Sequence, residues 1–165
     1  RAPISERMVI FMEELVLDRG IKKIAIKDDD TGELIVVLKI NVADAQTAEK
    51  FADVIHNLEG ISKKCDEEAD AWRIAHPDLE VIKNDISLAV EINRIRVKYI
   101  RQIIEEIDSL FGDGTVAAIY GDTVPDEEAL VDFVEKIIPV MSKLFNKRYE
   151  ISRKRYSSGR KGAKA

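Results

Sequence analysis

One segment of the chain, from Leu79 to Phe111, constrains the fold more than any other, because its apolar residues recur at helical spacing along its whole length. They form two separate stripes. The first stripe contains Leu88, Ile92, Ile95, Tyr99, Ile103 and Leu110, and the second contains Ile82, Ile86, Val90, Val97, Ile100, Ile104 and Ile107. A helix with two apolar stripes is covered on more than one side. The segment therefore predicts the central helix of a bundle, roughly 50 Å long at about 1.5 Å per residue.

Helices are also predicted on both sides of this segment. Between Asp44 and Pro77, apolar or small residues are spaced by steps of three and four, as in a heptad seam. Pro77 ends that helix, because the residue before a proline avoids the helical region. Further along, Thr123 and Asp126 resemble a capping box at the start of a last helix. Pro139 lies inside this helix, where its ring is expected to produce a kink.

The N-terminal part of the chain predicts a β-hairpin. IKKIAIK, residues 21–27, and ELIVVLKI, residues 33–40, are rich in β-branched residues and are joined by the turn sequence KDDDTGE. Val36 and Val37 are adjacent apolar residues, so the second strand is expected to be covered on both faces. The predicted fold class is mainly α: an N-terminal β-hairpin, then a bundle of three to four long helices, then a disordered basic tail.

The length of 165 residues is typical of one domain. We predict a flexible N-terminal extension over residues 1–12, a single domain over residues 13–151 and a disordered tail over residues 152–165. No run of about 18 apolar residues is present, so no membrane-spanning segment and no membrane partner is expected. The single cysteine, Cys65, excludes an internal disulfide and is typical of a reducing compartment.

Charge is distributed unevenly along the chain. Residues 147–165 contain eight basic residues and one acid, a net +7, so with a total of -5 the remaining residues carry -12. The basic residues of the predicted tail are Arg153, Lys154, Arg155, Arg160, Lys161 and Lys164. With Tyr149 and Tyr156 interleaved, this tail could bind nucleic acid by phosphate contact and stacking. The acidic remainder opposes that interpretation and fits a tail that contacts acidic protein surface, such as a neighbouring copy.

The loop FGDGT, made of Phe111, Gly112, Asp113, Gly114 and Thr115, is predicted to be a structural hinge. A phosphate-binding loop would follow a strand and carry a lysine, and this loop does neither. A calcium site is the alternative, with oxygens from Asp108, Asp113 and Asp122, but the alternating acids that end in glutamate are missing. Gly112 is expected to end the central helix in the left-handed conformation.

The sequence offers no constellation of catalytic, cofactor-binding or metal-ligating residues. His56, His76 and Cys65 lack the spacing of a zinc site, and the paired glutamates fit solvated helix faces. We therefore expect a protein that is not an enzyme and uses no cofactor or metal. The expected partner-binding residues form the apolar stripe Leu88, Ile92, Ile95, Tyr99 and Ile103. The two stripes and the small hairpin also predict a homo-oligomer.

The order of these features resembles that of a known family. An INVAD stretch at Ile40 to Asp44 opens the first long helix, the FGDGT loop follows the central helix, and a YG pair, Tyr120 and Gly121, closes the next short segment. From Glu13 to Gly159 the chain is similar to the tail-assembly chaperones of long-tailed phages and prophages of Gram-positive bacteria.

This resemblance implies a non-enzymatic role in tail morphogenesis. The partner would be the long helical tape-measure protein, which such chaperones bind in the host bacterial cytoplasm before the tail tube polymerises. A nucleic-acid-binding or regulatory phage protein that uses the basic tail is the alternative function.

Overall fold

The computed structural model describes residues 12–77 and 86–162, with the backbone alone at residues 87, 88 and 160–162. The elements over these residues are β1 (Ile21–Lys27), β2 (Leu34–Asn41), α1 (Thr47–Ala75), α2 (Ile86–Phe111), α3 (Thr115–Tyr120) and α4 (Glu127–Gly162). A mainly helical fold with an N-terminal hairpin is therefore confirmed. Residues 1–11 of the predicted extension and residues 79–85 of the predicted central helix lie outside the described residues. None of the described helices has the length and apolar content needed to cross a bilayer.

The hairpin is antiparallel and has one covered and one open face. Ile24 pairs with Leu38 on the inner face, while Lys23 pairs with Lys39 and Ala25 with Val37 on the outer face. The prediction that β2 is covered on both faces is wrong, because Val37 remains 38% exposed and Leu34, opposite Lys27, 57% exposed. The helices pack against the inner face only. Adjacent residues of a strand point to opposite faces, so covering Val36 leaves Val37 outside.

One apolar cluster joins the hairpin to all four described helices. Its buried members are Leu38, Ile40, Val42, Phe51, Ile100, Ile107, Val116, Leu130, Phe133, Ile137 and Met141. Aromatic contacts place α4 along this cluster: the rings of Phe51 and Phe145 are 5.9 Å apart, and those of Phe111 and Phe133 are 6.1 Å apart. We call this part of the molecule the body. It consists of the hairpin, α3, residues 127–145 of α4 and the parts of α1 and α2 that reach the cluster.

A second region contains α1 and α2 alone. The apolar cluster includes no residue of α1 beyond Ile55 and no residue of α2 before Ile100. At the edge of this region, α4 begins beside α1, where the Ser62 hydroxyl lies 3.4 Å from Glu127 Oε1. We call residues 62–75 of α1 and 86–99 of α2 the arm. Its side chains are less deeply packed than those of the body, and its buried apolar residues are Cys65, Ala69 and Ile92.

The last helix differs from its prediction at both ends. Its N-terminal cap is Asp126, whose Oδ1 accepts a 2.9 Å hydrogen bond from the Ala129 amide, while the Thr123 hydroxyl donates instead to the Tyr120 carbonyl. At the other end the helix runs to Gly162, through residues for which the sequence predicts disorder. The helix is already nucleated before Ser152, so each added residue needs only propagation. Residues 163–165 of the predicted tail lie outside the described residues.

Candidate protein-binding surface

A groove of about 1100 Å³ lies where the chain enters the hairpin. Residues 16–18 form one wall, the turn of residues 42–48 between β2 and α1 forms the floor, and α4 forms the opposite wall. The lining residues contributed by α4 are Phe145, Asn146, Arg148, Tyr149, Ile151, Ser152, Arg155 and Tyr156. Most of these positions recur every three or four residues, so one face of α4 follows the groove.

Gly20 fixes the first wall. It has a φ of +71°, and a Cβ at this position would lie only 2.3 Å from Cβ of Ala43. The Gly20 carbonyl accepts a 2.9 Å hydrogen bond from the Val42 amide, and the Gly20 amide donates 2.8 Å to Asp18 Oδ1. This second bond, helped by the charge of Lys22, holds the pKa of the Asp18 carboxyl below its ordinary value. Residues 16–18 are therefore directed by a contact that only glycine permits.

The floor is a turn held by local hydrogen bonds. The side chain of Asn41 accepts from the Ala43 amide at 2.9 Å, and that of Asp44 accepts from the Gln46 amide at 2.9 Å. The Thr47 hydroxyl donates 2.9 Å to the Asn41 carbonyl. These bonds use the polar side chains within the turn, so its small apolar residues line the groove.

The groove exposes apolar side chains to an unusual extent. Val16 is 95% exposed, Tyr149 69% and Tyr156 80%, and Leu17 and Ile151 are also open to solvent. Clustered apolar exposure of this kind marks interaction surfaces. Tyrosine adds a large contact area with a polar end, which suits a surface that is wet when free and covered when bound.

Charges border the groove asymmetrically. Arg148 and Arg155 lie on the α4 wall, and Asp18 and Asp44 lie on the opposite side. An ion pair across the groove joins Arg148 Nη1 to Asp18 Oδ2 at 3.9 Å, which is too long for a hydrogen bond. Arg155 is exposed and forms no ion pair with a carboxylate of the described residues, so it can contact a carboxylate of a bound protein segment.

The apolar stripe predicted to bind a partner lies largely inside the fold. Ile92 is buried, and Ile95, Tyr99 and Ile103 are half-buried on the helix that packs against α1. The Tyr99 hydroxyl donates a hydrogen bond to Glu68 of α1. The side chain of Leu88 lies outside the described residues. In this arrangement α1 occupies the stripe, because the heptad-like seam of α1 is its complementary partner.

The predicted hinge residues form a compact connection between α2 and α3. Gly112 and Gly114 have φ values of +116° and +80°, which confirms the positive φ expected at Gly112. The carboxylate of Asp108 accepts hydrogen bonds from the amides of Gly114 at 3.2 Å and Val116 at 3.0 Å. The Thr115 hydroxyl donates to the Gly112 carbonyl at 2.7 Å. Asp108 is thus used as a cap for α3. Phe111 packs on the body, and Asp113 is exposed.

The predicted basic tail continues the groove wall as a helix. Arg153, Lys154 and Arg155 are exposed, as is every residue from 151 to 159. The hydroxyls of Ser157 and Ser158 donate to the carbonyls of Arg153 and Lys154, at 3.0 and 2.9 Å. For Arg160 and Lys161 only the backbone is described, and Lys164 lies outside the described residues.

One acidic group could hold a cation among the described residues. The carboxylates of Asp28, Asp29 and Asp30 lie within 4.8 Å of one another at the hairpin turn. Asp28 Oδ1 accepts hydrogen bonds from the Asp30 amide, the Thr31 amide and the Thr31 hydroxyl at 3.0, 2.8 and 3.1 Å. Its position follows from the turn that it stabilises, and the same bonds hold the pKa of the Asp28 carboxyl below its ordinary value, the Thr31 amide contributing most.

Sequence reasoning missed the groove. The stretch Leu15 to Leu17 has three successive apolar residues outside any periodic element, and this was the available signal. The interleaved Tyr149 and Tyr156 predict stacking on nucleic acid, whereas the fold places both in the lining of the groove. Local spacing along the sequence does not predict that residues 16–18 lie beside residues 145–156.

Comparison with known proteins identifies the family. Residues 34–165 match the family of unknown function DUF6673, so the chain belongs to this family. The match includes β2, all four described helices and the groove residues of α4, whereas β1 and residues 16–18 precede it. No curated protein and no solved structure matches the chain.

Proposed function

We propose that this member of the DUF6673 family is a non-enzymatic tail-assembly chaperone. It binds a helical segment of the tape-measure protein in the host bacterial cytoplasm and keeps the apolar surface of that segment covered until the tail tube polymerises. The order of the sequence motifs supports a role in tail assembly, and the groove supports protein binding as the activity.

The observation that carries the proposal is the exposed apolar lining of the groove. Val16, Leu17, Tyr149 and Tyr156 border a channel whose floor includes Val42, Ala43, Ala45 and Ala48. A chaperone for an aggregation-prone helix needs such a surface, and it must remain open until its partner arrives.

A helix is the segment that we expect to fit. An α-helix with side chains is about 10–12 Å across, and its apolar face presents residues at every third or fourth position. Because Arg148 and Arg155 lie on the α4 wall, an acidic residue beside the apolar face would form ion pairs there. We therefore expect apolar residues flanked on one side by glutamate or aspartate.

The test is co-expression and co-purification with a candidate tape-measure protein. Tyr149→Asp together with Tyr156→Asp should abolish co-purification, because both side chains are mostly exposed and neither is needed by the body. The matched control is Ile74→Asp, an equally exposed apolar position in the arm, and it should co-purify normally. Retention of the partner by the double tyrosine variant would refute the groove as the binding site.

Nucleic-acid binding is favoured by one observation, the exposed basic helix after Ile151. DNA and RNA offered to the intact chain should bind weakly, since residues 1–146 carry a net -12. Tight binding with a steep salt dependence, lost on truncation after Ile151, would replace the chaperone proposal by the nucleic-acid function.

A further inference from the structure

The outer face of the hairpin is an apolar surface that no described residue covers. Ile21 and Val37 are each about two-fifths exposed, Leu34 opposite Lys27 is 57% exposed, and Ala25 lies opposite Val37. The inner face of the same two strands is packed against the helices. A two-stranded sheet is marginal in water, so covering the outer face would stabilise the hairpin.

Lysines surround this surface. Lys23 lies directly opposite Lys39 on the outer face, and Lys27 follows on the same face of β1. Within the described residues none of these three lysines forms an ion pair with a carboxylate. Directly opposed like charges destabilise a sheet, so an occupant that brought acidic residues would remove the repulsion while it covered the apolar side chains.

This charge distribution argues against two hairpins packed face to face. Such a dimer would place the Lys23–Lys39 pair of one copy on the same pair of the other. Like charges across an interface oppose association. The occupant should therefore be a different surface, apolar and acidic together.

Residues 12–15 have that chemistry. Glu13 and Glu14 stand beside Met12 and Leu15, and all four side chains are exposed. The segment has no helix or strand of its own and hence keeps backbone groups available to a partner. Two glutamates in this segment match the two lysines that face each other across the hairpin.

The segment does not lie on the hairpin of its own chain. The turn at Gly20, closed by the Val42 amide and by Asp18, directs residues 16–18 to the groove beside α4. Since α4 packs on the inner side of the hairpin, the segment leaves toward the side away from the outer face. A second copy of the chain supplies the same segment without this restriction.

We propose that the outer face of the hairpin binds residues 12–15 of a second copy of this chain. Glu13 and Glu14 of one copy pair with Lys23 and Lys39 of the other, and Met12 and Leu15 contact Leu34 and Val37. Two copies that exchange segments close a two-fold dimer. This contact is separate from the tape-measure groove and does not depend on the proposed function.

Charge reversal tests the pairing. Lys23→Glu with Lys39→Glu makes the hairpin acidic, and Glu13→Lys with Glu14→Lys makes the segment basic. We expect each double variant to be monomeric by sedimentation equilibrium at a concentration where the unmodified chain has at least twice the monomer mass. An equimolar mixture of the two should assemble, because each then offers the charge that the other needs. The fourfold variant should assemble alone.

The controls separate this contact from folding and from other contacts. Lys63→Glu with Lys64→Glu changes two exposed lysines of the arm and should leave assembly unchanged. Circular dichroism spectra of all the variants should match that of the unmodified chain, since every altered side chain is exposed. The Tyr149→Asp/Tyr156→Asp chain should lose the tape-measure protein and still assemble. A monomeric unmodified chain, or a Glu13→Lys/Glu14→Lys variant that assembles as well as the unmodified chain, would overturn the proposal.

Discussion

The body and the arm are built from the same two long helices, yet different interactions stabilise them. In the body, α1 and α2 meet the hairpin and α4, and the cluster contains large residues such as Leu130 and the fully buried Met141. In the arm α1 and α2 pack mainly on each other, and among the described side chains two of its three buried apolar residues are the small Cys65 and Ala69. Helix-forming sequence is therefore common to both regions, whereas apolar burial is concentrated in one.

Polar contacts are correspondingly more prominent in the arm. Lys98 Nζ lies 2.6 Å from Glu68 Oε1, and the Tyr99 hydroxyl donates to the same carboxylate. Arg94 pairs with Glu91 within α2. Exposed ion pairs contribute about 0–1 kcal/mol each, much less than burial of a large apolar side chain at about 1.5–3 kcal/mol. The comparison indicates that the arm depends on helices anchored in the body.

The largest expected difference in stability between the body and the arm comes from replacing isoleucine by alanine at one position of α2 in each region. Ile107→Ala in the body should lower the free energy of unfolding by about 2–5 kcal/mol, because Ile107 is 2% exposed within the main cluster. Ile92→Ala in the arm should cost less than about 2 kcal/mol, since Ile92 lies outside that cluster and alanine is the better helix former. Urea denaturation of both variants measures the difference. Equal losses would show that the arm is packed as tightly as the body.

Alanine substitutions at two glycines should change the stability by smaller amounts and in opposite directions. Gly20→Ala should destabilise the body, since the positive φ alone costs about 1–2 kcal/mol and the new Cβ would meet Ala43. Gly60→Ala should stabilise the protein by about 0.5–1 kcal/mol, because Gly60 lies within α1 near the start of the arm and nothing lies within 4 Å of its added Cβ. Thermal melts compare the two. A rise in melting temperature for Gly20→Ala would contradict the tight contact at Ala43.

The smallest effect concerns pH and the arm. Hydrogen bonds from Lys98 and then Tyr99 hold the pKa of the Glu68 carboxyl below its ordinary value. A carboxyl with a lowered folded pKa adds stability above the unfolded pKa, about 4.3 for glutamate, and this stability is lost as the pH falls through the folded pKa. Glu68→Gln should therefore be less stable than the unmodified chain at neutral pH, and the two should converge in acid.

Hydrogen exchange measures whether Glu68 stabilises the arm or the whole fold. Amides of the arm should exchange faster in Glu68→Gln at neutral pH, while those of the body stay protected. The control is Glu67→Gln, an exposed neighbour on α1, which should match the unmodified chain. A uniform change across both regions would mean that Glu68 contributes to the global stability of the fold.

The sequence by itself determined the helices, the hairpin and the glycine turn after Phe111. Two apolar stripes in residues 86–111, β-branched runs around a turn, and glycines after Phe111 are local signals, and each matches the element found. Local periodicity also explains why β2 has one open face, although adjacent Val36 and Val37 suggested otherwise. These features depend on backbone sterics and on the spacing of neighbouring residues, which a sequence carries directly.

Only the tertiary structure decided which apolar surfaces remain open. The stripe of Ile92, Ile95, Tyr99 and Ile103 is equally apolar whether a partner or α1 covers it, and the fold assigns it to α1. The groove joins residues 16–18 to residues 145–156, which are separated by most of the chain. Apolar burial is non-directional and depends on which surfaces meet. The spacing of apolar residues along the chain therefore predicts which surfaces can be buried, and long-range packing determines which of these surfaces are buried.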